Sequence, residues 1–192
     1  MANNGVKVAL RDLYYALLTV DTASDNVATY DTPVLITGLI KANLNPNSNI
    51  DTLFADDGPY DTVGQLGKIA LELNVADLSL EQRIALLGKS ALTAGVMFDG
   101  STDTPPWLAI GFRSKKSNGS YRYVWLLKGK FSEPEDNSET QGDTVNFQTP
   151  TITGNFVARE YDSAWRKMTD EDATGFVEAT ATNWFTDGPD AP

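Results

Sequence analysis

The chain has no cysteine and no histidine among its 192 residues. Without cysteine it can hold no disulfide framework, no thiolate zinc site and no cysteine nucleophile. Without histidine it lacks the commonest general base, the commonest metal ligand and any Ser-His or Cys-His pair. Positive charge is also scarce. Fifteen Lys and Arg face 26 Asp and Glu, a formal net charge of −11. A field of that sign repels nucleic acid and anionic membrane, so tight binding to either over a broad surface is not expected. No apolar run approaches the ~20 residues of a membrane-spanning helix. The first residues, Met1 to Lys7, lack the basic-then-apolar layout of a signal peptide, so no cleaved leader is expected. These absences argue against an enzyme, a cofactor and a metal site, and favour a structural role.

What remains reads as β structure. A chain of this length suits one domain and can bury roughly 70% of the surface its unfolded form exposes. Leu13–Val20 is almost wholly apolar, as in a strand covered on both faces. Pro33 opens a second run, 34–44. From 68 to 75, Ile69, Leu71, Leu73 and Val75 alternate with polar or small residues, the period of a strand with one buried face. One short helix is expected at about 79–88. Ser79 and Gln82 form a capping box, Leu80, Ile84 and Leu87 a single stripe, and Gly88 a C-terminal stop. So short a helix must lie on the sheet.

Asn118-Gly119 is the strongest turn signal, and a long β-hairpin centred on it is expected to run from about Trp107 to Phe131. A two-residue turn sets Ser117 against Ser120, Phe112 against Trp125 and Ile110 against Leu127. Val145 and Phe147 then change phase with Ile152 and Phe156 across Pro150, where a bend would bring both sets to the core. Trp165 and Met168 suggest a last strand. Three stretches are polar and loosely patterned: 43–64, the acidic loop 133–143, and the end from Thr169, with six acids and no base. Phe176, Val177, Trp184 and Phe185 in that last stretch call for a surface to dock on. The expected division is a β domain over 1–172, with a polar arm at about 43–64, and an acidic C-terminal arm over 173–192.

Several local patterns imitate functional motifs. Gly88-Lys89-Ser90 resembles the end of a phosphate loop, but the glycine needed five residues earlier is Arg83. Asp170, Asp172, Thr174 and Gly175 resemble an EF-hand start, but the twelfth position is Ala181, not Glu. Asp56-Asp57 and Glu133, Glu135 and Asp136 could furnish paired carboxylates, yet they stand in turn-like contexts with no cleft implied. Asn118-Gly119-Ser120 matches a glycosylation acceptor but reads as a turn. More telling is the charge layout. Arg113, Lys115, Lys116, Arg122, Lys128 and Lys130 put six of fifteen cations in an 18-residue stretch without an acid. They could protect a sheet edge, or meet an acidic surface on a neighbouring copy.

Ordered segments strengthen the second reading. Asp12-Leu13-Tyr14-Tyr15, residues Thr52 to Tyr60, Gly111 to Gly119, Tyr121 to Leu126, Lys128 to Pro134 and Phe147 to Ile152 together resemble the major tail protein (tail tube protein) family of long-tailed, non-contractile bacteriophages and prophages. The likeness runs from about 12 to 172. It is absent from Asn43 to Asn49 and beyond Asp172. It implies a mainly β, sandwich- or barrel-like tail-tube fold with one flanking helix. It also implies hexameric rings stacked into a tube in the virion tail, assembled in the host bacterial cytoplasm. Implied partners are further copies of the chain, a tape-measure protein, tail terminator and distal tail or baseplate proteins, and DNA in non-specific passage. Six copies at −11 each bring −66 to a ring, which suits a conduit that must not hold phosphates. Interface candidates are Asp56, Asp57, Tyr60, Arg113, Lys115, Lys116 and Arg122. The alternative is a β-sandwich carbohydrate- or receptor-binding module, whose aromatics would be exposed in a groove.

Overall fold

The computed structural model describes residues 5–91, 93–136, 138–140 and 146–190. The fold is mainly β, one open nine-stranded sheet in which every pairing is antiparallel. The strands are β1 (Lys7–Thr22), β2 (Val27–Tyr30), β3 (Val34–Ile36), β4 (Leu39–Ala55), β5 (Gly58–Val75), β6 (Leu108–Lys116), β7 (Tyr121–Phe131), β8 (Thr151–Val157) and β9 (Arg166–Asp170). The order is β2-β1-β6-β7-β8-β5-β4, with β3 joined to β1 and β9 to β7. The apolar run at 34–44 is thus two strands, parted at Gly38, whose φ of +84° a β-branched residue would resist.

Several strands of the sheet share its larger apolar core. Leu13 of β1, Ile69, Leu71 and Leu73 of β5, Ile110 and Phe112 of β6, and Val124 and Leu126 of β7 meet there, with Ile152 and Phe156 of β8. Helix α1 (Leu80–Leu87) adds Leu86 and Leu87 to this core. Its capping box forms as expected: Ser79 Oγ accepts from the Gln82 amide, and Gln82 Oε1 accepts from the Ser79 amide at 3.0 Å. Gly88 closes it at φ +69°. The alternation in β5 is equally faithful, with Ile69, Leu71, Leu73 and Val75 buried between half-buried neighbours.

The β6–β7 hairpin forms, but its register differs by one residue from that of a two-residue turn. The Gly119 amide donates to the Lys116 carbonyl at 3.0 Å, and the Lys116 amide to the Ser120 carbonyl at 2.8 Å. The loop is therefore Ser117-Asn118-Gly119, three residues, with Gly119 at φ +92° in the position that such loops reserve for glycine. Phe112 now faces Val124, and Ile110 faces Leu126. A one-residue slip sends every side chain to the other face. Trp125 and Leu127 accordingly leave the main core and join Tyr123, Ala16 and Ala109 in a second cluster behind the sheet.

The C-terminal segment covers that second cluster. Helix α2 (Glu178–Asn183) delivers Trp184, 1% exposed, onto Trp125, whose Nε1 donates to the Trp184 carbonyl at 3.0 Å. Phe185 stacks on Tyr14 with ring centroids 4.5 Å apart. The aromatics of this acidic stretch thus do find a surface. Phe147 does not: it is 89% exposed and lies outside any strand, so no bend at Pro150 returns it to the core. Val145 lies outside the described residues.

Candidate functional site

The segment 43–64 is not loosely structured. It is the outer part of the β4–β5 hairpin, paired without interruption of direction from Leu39–Val75 to Ala55–Gly58. Near its base, Ala42 and Leu44 lean on the main core. From Asn45 to Ala55, and from Pro59 to Lys68, every residue is exposed. The ten residues from Pro46 to Ala55 carry the tip ~33 Å beyond the body at the usual strand rise. Pro46, which can donate nothing to a ladder, sits on β4, the outermost strand of the order, where a proline is tolerated.

The tip is Asp56-Asp57, both at positive φ (+50° and +61°), as a two-residue type I′ turn requires. Aspartate tolerates this conformation better than most side chains. Around it, Ile50, Leu53, Phe54, Tyr60 and Val63 are all more than 60% exposed. Leu53 opposes Asp61 and Val63 opposes Asp51 on one face, while Ile50 lies one step away on the other. Apolar chains therefore stand on both faces, and no sheet backs either. An isolated two-stranded ribbon is at best marginal in water. Between Ala42 and Gly67 it also carries four aspartates and no cation. It is an acidic, aromatic-tipped arm.

The basic set on β6 and β7 is arranged differently. Both are interior strands, so these cations guard no sheet edge. Lys116 is buried, with Nζ 2.7 Å from Asp170 and 2.5 Å from Asp172. Arg122 grips Asp170 through Nε at 2.5 Å and Nη2 at 2.6 Å. Those two bonds, with Lys116 behind them, hold the Asp170 carboxyl down at about 2. Burial opposes the charge on Lys116, but the two carboxylates outweigh it and raise its affinity for the proton. Arg113 pairs with Asp12 and lies 4.6 Å over the Tyr121 ring. Lys115 is half-buried between β1 and β7. The Tyr121 amide and Tyr123 hydroxyl both donate to Glu171. The acids that looked like an EF-hand start thus close an ion-pair network that ties β9 and the C-terminal segment to the hairpin.

Apart from the half-buried Lys115, the interface candidates consequently fall into two groups. Asp56, Asp57 and Tyr60 share the projecting tip. Arg113, Lys116 and Arg122 are satisfied by carboxylates of their own chain. The sequence reading did not single out Ile50, Leu53, Phe54 and Val63, which follow no period of two and stand exposed on the ribbon. Lys89, from the phosphate-loop imitation, instead sits among Glu133, Asp99 and Asp103 at 2.7, 3.1 and 3.7 Å. Among the described residues no group of three or more His, Cys, Asp or Glu could hold a metal ion. Among the described residues no helix is long and apolar enough to cross a membrane. Comparison with family models finds no match. Comparison with curated proteins finds none either.

Proposed function

We propose that this chain is a structural subunit that assembles with copies of itself, and that the assembly is a bacteriophage tail tube built of stacked hexameric rings. The observation that carries the proposal is the β4–β5 arm. A ribbon with five large apolar chains more than 60% exposed on a chain of −11 charge is costly alone and is stabilised only when another surface covers it. The ordered segment likeness names the kind of assembly. A nine-stranded antiparallel sheet with helix α1 packed on its larger core supports the tail-tube fold. The acidic balance suits a DNA conduit, with tape-measure protein inside it during assembly and terminator and baseplate proteins at its ends.

Removing Asp56–Tyr60 tests the reading. The shortened chain should keep the far-UV dichroism and melting temperature of the parent, because no buried residue is lost. It should sediment as a monomer at concentrations where the parent sediments as large particles. Parent-like particles from the shortened chain would refute the role given to the arm.

A further inference from the structure

A groove opens at the base of the same arm, between the first residues of β1, the base of β4, and β7 with β9. Phe112, Val124 and Leu10 are its more buried lining, and Val8, Ile40 and Met168 its exposed apolar lining. Its volume is about 580 Å³. Three cations, Lys7, Lys41 and Arg166, stand on its wall, and no carboxylate does. Lys41 has a loose, exposed contact of 3.4 Å with Glu72. Burial lowers the Lys7 pKa, and the nearby Arg122 and Arg166 lower it further against the opposing pull of Asp170, so an anion arriving beside Lys7 would be welcomed.

We infer that this groove receives the arm tip of a second copy, Phe54 and Tyr60 packing on the apolar lining while Asp56, Asp57 and Asp61 meet Lys7, Lys41 and Arg166. The inference rests on the self-assembly reading above and assigns its receptor surface. Complementarity carries it: three carboxylates and two aromatics on the tip, three cations and an apolar lining in the groove, on a chain otherwise short of positive charge. Reach decides whose tip it is. Asn43, Leu44 and Pro46 line the groove, so the arm starts at the groove and carries its own tip ~33 Å away. The chain's own tip cannot fill it. Tip and groove are different surfaces, so the contact can repeat head-to-tail from one copy to the next.

The absence of cysteine makes the test clean. One full-length chain carries Ala55→Cys, another Val8→Cys, and the two are mixed and oxidised under assembling conditions. A disulfide needs Cα atoms within about 7 Å, so its formation reports the contact itself. The inference expects a mixed covalent dimer of twice 20.9 kDa, at least tenfold over either homodimer. It also expects the mixed dimer to be lost with Asp56→Lys and Asp57→Lys on the tip and restored when Lys7→Glu and Arg166→Glu are placed in the groove. Assembled particles without the mixed dimer, or dominant Ala55→Cys homodimers, would overturn the groove assignment and leave self-assembly standing. Failure of the unoxidised parent to associate at any concentration would overturn both.

Discussion

At the scale of single residues, Asp170 is the pivot of the ion-pair network. Its folded-state pKa of about 2 lies below the usual 3.8, chiefly because Arg122 and then Lys116 bond the ionised form. A depressed carboxyl stabilises the fold above its unfolded value, and that contribution is lost as pH falls through the folded one. The shift corresponds to about 2 kcal/mol. Urea titrations should therefore show stability declining between about pH 4 and pH 2. Asp170→Asn should lower stability at pH 7 by a similar amount, more if Lys116 is left short of a partner, and should flatten that decline. Trp184 is the second such residue. It fills the space over Trp125, yet among the described residues its own Nε1 is buried without a hydrogen-bond partner. Trp184→Ala should still cost about 3–5 kcal/mol, because the packing lost exceeds the relief of one unpaired N–H. Thermal melts would measure it. An unchanged melting temperature would mean that the C-terminal segment is not part of the cooperative unit.

At the scale of elements, what could be read depended on how local the cause was. Helix α1 was legible because its start and stop are written within ten residues, in Ser79, Gln82 and Gly88. The alternation of β5 was legible where a core lies beneath it. Beyond Lys68 toward the tip it was not, because a ribbon exposed on both faces leaves no hydrophobic period to follow. The β6–β7 register turned on whether Asn118-Gly119 or Ser117-Asn118-Gly119 forms the loop, a choice decided by hydrogen bonds at Lys116 and not by the dipeptide. The cations of that hairpin looked available because their partners, Asp12, Asp170 and Asp172, are distant in sequence. The arm should behave as a separate element. In the monomer, amides from Ile50 to Val63 should exchange with solvent at least a hundredfold faster than those of Ile69 to Val75, although both belong to one strand pair. Equal protection would show that the arm is stable alone and has no need of a cover.

At the scale of the whole molecule, the β body and the arm divide the work. In the body, Arg113, Lys116 and Arg122 are paired within the chain, the C-terminal segment packs on the second apolar cluster, and the groove at the arm's base stays open. The arm is open, acidic and apolar at once. A charge of −11 per copy keeps free chains apart in solution, so association must be driven by the apolar tip and local pairing, and should be steeply concentration-dependent. Electron microscopy of the concentrated purified chain measures this most directly. Rings or hollow tubes of uniform width, absent after removal of Asp56–Tyr60, are the expected images. A field of single 20.9 kDa particles at high concentration, with saturable binding to a glycan, would instead make the chain a binding module and end the case for a tube.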